Sequence, residues 1–337
     1  MNATLRREAA RCLVIGFDGL TLPDTARALL AEGVGGVILF RRNVASAEQV
    51  RSLIAAVREA APEPLWVSVD QEGGRVARLA GITTDLPPML SLPDAAAARA
   101  AGRRLGRELA ALGFDLDLAP VLDVLTNPAN TVIGDRAFGR TPAAVIARAI
   151  PLLTAMQEAG VAACAKHFPG HGDTTLDSHH DLPVVAHDLD RLRAVELPPF
   201  AAAFAAGVTA CLVAHVVVRA LDPQRPASLS PAVMELLRGE LGFDGLVLTD
   251  DLEMAAIAGR RSVPEAGVQA LAAGADQLLV CHDARRQRAT LDAVVDAVAG
   301  NRLPRRRLAA AAARVASAMA CFPPDRPRPD FPPDGDR

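Results

Sequence analysis

The chain has 337 residues, half of them hydrophobic, with 36 basic and 39 acidic side chains. That length can bury a large core, and a net charge of −3 supplies no field to gather nucleic acid or an anionic membrane. Ten Phe, one Trp and no Tyr exclude tyrosine chemistry, and nearly exclude an aromatic-paved groove for a polymer.

At the N-terminus Arg6, Arg7 and Arg11 precede a short apolar run, Cys12–Phe17, that Asp18 cuts off. The run is too short for a signal-peptide core. The longest uncharged apolar stretch, Gly207–Val218, is too short for a bilayer span. No Cys-x-x-Cys pair occurs. Cys12, Cys164, Cys211 and Cys281 sit inside apolar runs, which reads as buried free thiols. A soluble, cytoplasmic protein is expected.

Along the chain, short β-like runs alternate with Ala- and Leu-rich helical stretches. The runs are Cys12–Phe17, Gly36–Phe40, Leu65–Val69, Phe114–Ala119, Val161–Ala165, Val208–Ala214, Gly245–Thr249 and Gln277–Cys281. Helices are predicted over Ala45–Ala61, Pro93–Leu112, Pro142–Ala159, Pro198–Ala206, Pro231–Leu241, Val263–Ala273 and Arg286–Ala299. Gly113, Gly160, Gly207, Gly242 and Gly274 follow helix ends, where glycine supplies a left-handed cap before the next strand. Runs apolar on both faces and separated by helices suit a parallel sheet covered on both sides. Eight such units predict a single-domain (β/α)₈ TIM-type barrel over residues 1–322. A last helix, about Arg305–Ala320, is expected to pack across it. Residues 323–337 carry six prolines and read as a disordered or extended tail without a function.

Each run is closed by a polar group: Asp18, Arg41, Asp70, Asp123, Lys166 with His167, His215, Asp250 and His282. A barrel places its active site at the carboxyl ends of its strands, so this recurrence points to an enzyme. Any one of these residues could simply end a strand; eight together argue for a site.

Five of the seven histidines lie between positions 167 and 187. His167 and His171 have the spacing of a zincin helix, but Pro169 and Gly170 interrupt it and no Glu follows His167. A non-helical site drawing on His171, His179, His180 and Asp181 is an alternative without fixed ligand spacing, and no metal or other cofactor is assigned. The segment reads better as a flexible catalytic loop leaving a strand end. In it Asp177 stands two residues before His179, where a carboxylate can orient an imidazole and raise its pKa for general-acid work.

Asp250 ends the run GLVLTDD (245–251) and is a candidate nucleophile. Strand side chains alternate, so Asp251 is expected to point elsewhere and partly to cap the next helix. Asp70 opens DQEGGRVAR (70–78), whose glycines permit a tight turn and close approach of backbone or ligand. GDRAFG (134–139) is another glycine-bounded loop carrying an arginine, Arg136. A carboxylate nucleophile with a separate proton donor suits glycoside cleavage. The residues alone leave aldolase and metal-dependent hydrolase chemistry open.

KHFPGHG (166–172) with DSH (177–179), DQEGGRVAR, GDRAFG, APVLDV (119–124), TDDLEM (249–254) and GGVILF (35–40) occur in this order across residues 12–282. In this the chain resembles the bacterial β-N-acetylglucosaminidases of glycoside hydrolase family 3, closest to the single-domain enzymes of cell-wall recycling. The resemblance implies a TIM-type barrel that releases N-acetylglucosamine from 1,6-anhydromuramoyl fragments. It implies Asp250 as nucleophile of a covalent glycosyl-enzyme and His179 as general acid/base with Asp177 as dyad partner. Asp70, Arg78, Arg136, Lys166 and His167 match positions that hold the sugar. Other family members draw the acid/base from a second domain, for which the chain after the barrel leaves no room. A monomer acting on a small-molecule sugar is expected. The alternatives are a phosphorylase or other β-glycosidase on this scaffold, and a non-catalytic sugar-binding barrel. Trp66 is expected in the core, not as a sugar platform.

Overall fold

The computed structural model describes residues 3–174 and 182–328. Each apolar run forms a strand: β1 (Leu13–Ile15), β2 (Gly36–Leu39), β3 (Trp66–Val69), β4 (Leu116–Asp117), β5 (Ala162–Phe168), β6 (Ala210–Val213), β7 (Leu246–Asp251) and β8 (Gln277–Val280). All eight pair in parallel with their neighbours in chain order, and β1 pairs with both β2 and β8, closing the barrel.

Helices connect the strands on the outside. Val263–Ala273 has the predicted bounds, and Pro142–Glu158 and Ala95–Leu112 differ from theirs by one or two residues. All five cap glycines have positive φ, between 64° and 137°, the region that glycine enters without a Cβ penalty. The helices Ala3–Arg11 and Asp24–Leu30 are among those without a counterpart in the sequence reading. Both are short, and the first is strongly polar.

The barrel is filled, not hollow. Val14, Ile38, Trp66, Leu116, Ala162, Leu246 and Leu248 form an inner layer, and the helix Arg305–Cys321 closes its lower end with Val315, Ala318 and Met319. Trp66 is 2% exposed and donates Nε1–H to the carbonyl of Phe322, 3.0 Å away, so it belongs to this core. Beyond that helix, Arg326 and Arg328 reach back to the buried carboxylate of Asp115 and the carbonyl of Phe114. Cys12, Cys164, Cys211 and Cys281 are buried free thiols, and Cys321 is exposed. Among the described residues no helix is long and apolar enough to cross a membrane.

Candidate active site

A cavity of about 890 Å³ opens at the carboxyl ends of the strands. That lies within the ~300–1,000 Å³ of small-ligand pockets. Its floor is the top of the barrel core, with Ile38, Leu118, Leu212 and Leu279, and Phe40 brings the one benzene ring among the described lining residues. Asp70, Arg78, Arg136, Lys166, His167 and Asp250, all singled out from the sequence, line its walls.

Two register shifts explain how consecutive polar residues come to share this space. In β5, Ala165 pairs with Cys211 and Phe168 with Val213, so β5 carries one residue more than β6 across the same interval. The extra residue lies in the Lys166–His167 segment, and both side chains line the cavity. In β7, Leu248 pairs with Gln277 and Asp251 with Leu279, an identical excess over β8. Such bulges gather beside active sites because they re-aim side chains out of strict alternation.

The second bulge corrects the expectation for Asp251. It lines the same cavity as Asp250 instead of pointing away. It does not cap the helix Ala255–Ala258 either, where Met254 holds the cap position. Its Oδ1 accepts from the backbone N–H of Glu253 (3.1 Å) and Cys281 (3.3 Å), while its Oδ2 lies 3.2 Å from His282 Nε2. The Thr249 hydroxyl accepts from Leu279 N–H at 3.2 Å. Thr249 thus satisfies a backbone donor of β8 and Asp251 the donor just after it, where the bulge departs from the regular ladder, and Asp250 between them lines the cavity. Its Oδ1 accepts from its own neighbour's N–H, Asp251, at 2.9 Å.

A buried charge network forms the opposite wall. Lys166 Nζ donates to Asp70 Oδ1 (2.7 Å) and lies 2.6 Å from Glu72 Oε1. Arg136 grips Glu72 with two parallel bonds, Nε to Oε2 at 2.8 Å and Nη2 to Oε1 at 2.7 Å, the planar fork geometry that favours arginine over lysine. Burial opposes both charges of the pair. The cations nevertheless hold the Glu72 carboxyl well below its ordinary range, and the acids hold Lys166 above its own. Both groups are therefore ionised at neutral pH. Arg78 is less engaged: its Nη2 is 3.9 Å from Asp70 Oδ2, and its Nε has no hydrogen-bond partner.

His167 is held in one tautomer. Arg136 can only donate, so its contact with His167 Nε2 at 3.3 Å makes that nitrogen an acceptor, and Nδ1–H donates to Asp123 Oδ2 at 2.7 Å. Asp123 is fully buried; His167 and the His171 N–H (2.6 Å) keep its carboxyl below the usual range against that burial. His171 also lines the cavity, its Nδ1 2.6 Å from the Thr174 hydroxyl, and burial pushes its pKa down.

The glycine turn in the segment 70–78 is a two-stranded hairpin, Gln71–Gly73 against Val76–Ala77, with Gly73 and Gly74 at φ 103° and 54°. It aims Glu72 inward and brings Arg78 back over Asp70. Sequence reasoning passed over Glu72, although it sits two residues beyond a strand-end acid. Asp123 was noted only as a strand end; its role behind His167 depends on a contact 44 residues away. Asp18 and Arg41 lie outside the cavity lining, where Asp18 pairs with Arg42 and Arg41 with the Ala80 carbonyl. Asp177 and His179, with His180 and Asp181, lie outside the described residues.

The profile described as the glycosyl hydrolase family 3 N terminal domain matches residues 8–318. A β-hexosaminidase of Stenotrophomonas maltophilia is 43% identical over 281 residues, covering 80% of this chain and 83% of that protein. Among solved structures, a glycoside hydrolase family 3 β-N-acetylglucosaminidase from a Paenibacillus species superposes with a TM-score of 0.95 at 43% identity. The alignment takes in 98% of this chain and 65% of that longer one. A β-N-acetylhexosaminidase of Beutenbergia cavernae gives a TM-score of 0.89 at 31% identity, over 94% of this chain and 98% of that one. A closed parallel barrel with acids and cations gathered at its carboxyl mouth agrees with these likenesses, and the chain belongs to glycosyl hydrolase family 3 as a glycoside hydrolase.

Proposed function

We propose that the protein is a retaining exo-β-N-acetylglucosaminidase that removes terminal N-acetylglucosamine from 1,6-anhydromuramoyl fragments of peptidoglycan in the cytoplasm. The observation that carries the reading is the placement of Asp250 on a bulged strand end, facing a cavity whose far wall is the Asp70–Lys166–Glu72–Arg136 network. A carboxylate so placed attacks the anomeric carbon and forms a glycosyl-aspartate, and negative charge on that face stabilises the oxocarbenium-like transition state.

His179, oriented by Asp177, donates a proton to the leaving oxygen and then activates water for the second step. Support for this comes from the anchor of their segment, since His171, four residues before the undescribed stretch, lines the cavity. The sugar hydroxyls and the 2-acetamido group are held by Asp70, Arg78, Arg136, Lys166 and His167. Hydrogen-bond recognition suits a cavity with a single benzene ring among its described lining residues. The N-acetylglucosamine preference rests on the relatives' activities. The cytoplasmic site agrees with five unpaired cysteines.

Turnover of aryl N-acetylglucosaminides with graded leaving groups tests the roles. Asp250→Ala should lose about 10³-fold or more in kcat with every leaving group. His179→Ala should lose about 10²–10⁴-fold with a poor leaving group and far less with nitrophenolate. Equal losses across the series would remove His179 from the acid role. A sugar 1-phosphate as the main product in phosphate buffer would replace hydrolysis by phosphorolysis.

A further inference from the structure

His215 follows β6, the strand that lies between the two bulged strands, and it is fully buried and outside the cavity lining. Its Nε2 is 3.0 Å from the backbone carbonyl of Asp251, and its Nδ1 is 2.7 Å from the Ser228 hydroxyl. A carbonyl only accepts, so Nε2 carries the hydrogen, and the Ser228 O–H donates to Nδ1. Ser228 is itself fixed by its N–H to the Ala214 carbonyl, 3.2 Å away. Ser228, His215 and Asp251 thus form a hydrogen-bonded chain from the loop after β6 to the strand end that carries Asp250.

We infer that His215 is a positioning residue for Asp250, holding the bulge of β7 from the β6 side. The bulge is secured from the β8 side by the Thr249 hydroxyl and the Asp251 carboxylate. Toward β6 the ladder is regular as far as Thr249 paired with Val213, and it ends there. From that point the His215 contact to the Asp251 carbonyl does what the next ladder bond would have done. Asp250 is the residue between these two fixed points, so its carboxylate inherits the precision of both. His215 is outside the cavity lining; it holds the Asp251 carbonyl, and its ring also lies within the electrostatic reach of the Asp250 carboxylate. Misplacement of a reacting group by ~1 Å costs about 10²-fold in rate, so such a fixture registers in kcat.

This inference rests on Asp250 being the nucleophile. It is tested on the full chain by the kcat and KM of a nitrophenyl N-acetylglucosaminide and the Ki of N-acetylglucosamine. His215→Leu removes both hydrogen bonds at similar volume and should lower kcat about 10–100-fold, with the Ki of the sugar within threefold of wild type. His215→Gln restores a donor near the Nε2 position and should recover part of that loss. Retention of kcat within threefold in His215→Leu would overturn the inference. So would parallel loss of sugar binding and kcat in both variants, which marks a general structural role. If His215→Leu does not fold, Ser228→Ala decides: kcat should fall about 3–10-fold at unchanged Ki, and an unchanged kcat overturns the inference. An Asp250→Ala enzyme that still turns over would sink the nucleophile assignment and this inference with it. An inactive Asp250→Ala beside a fully active His215→Leu sinks only this inference.

Discussion

The two ends of the barrel both bury charge, and they finish it differently. At the lower end Asp115 and Asp276 stand immediately before β4 and β8, each fully buried. Asp115 is ion-paired to Arg58, Arg326 and Arg328, and Asp276 to Arg238, Arg307 and Arg314. Each carboxylate also accepts a backbone N–H, from Val67 and Val247 respectively, so every oxygen has protein partners. At the mouth the acids share Lys166, Arg136 and His167 beside an open cavity, which Arg78, its Nε without a partner, and Asp250 both line. Satisfied charge at one end ties strands and helices together. Charge lining a cavity at the other end is where a barrel enzyme carries its binding and chemistry.

That contrast can be broken from either side. The largest effect is expected below: Asp276→Ala leaves three arginines around a buried gap and should cost about 3–5 kcal/mol of stability. Chemical denaturation should read this loss while the KM of folded enzyme stays near wild type; a KM shift without a stability loss would contradict the division of labour. Above, Arg78→Ala should lower kcat/KM about 10–100-fold, the worth of a hydrogen bond to a charged donor. Its melting temperature should stay within a degree or two of wild type.

The smallest effect tests a buried acid that belongs to neither cluster. Asp117 in β4 accepts from Gln71 N–H through Oδ1 at 2.9 Å, while its buried Oδ2 has no partner. Burial raises its pKa well above the ordinary value. The native state therefore keeps the proton while the unfolded chain releases it near pH ~3.9. Stability is fully present below that pH and is lost as pH rises toward the folded value. Asp117→Asn retains the acceptor without this loss, so it should gain roughly 1 kcal/mol at pH 7, with the gain vanishing near pH 4. A gain of equal size at both pH values would show that proton uptake is not its source.

Much of this was legible in the chain because it is local. Helix-period and strand-period stretches, with a glycine wherever a helix had to turn straight into a strand, define eight β/α units whatever lies around them. Asp70, Lys166, His167 and Asp250 were legible for a similar reason, since a polar residue ending a buried strand must emerge at a barrel mouth. The bulges were not legible. An extra residue in a strand exists only relative to its neighbour's register, so alternation misread Asp251, and nothing in TDD announced that Thr249 and Asp251 would bind the N–H groups of Leu279 and Cys281. Glu72 stayed hidden likewise, its partner Arg136 lying 64 residues away and its meaning as an acid coming from burial between two cations. The aromatic poverty of the composition already argued against a ring-paved polymer groove. Which groups are spent inside the protein and which are left for the sugar is decided only when distant strand ends meet, because hydrogen bonds and charges are satisfied in space and not in order along the chain.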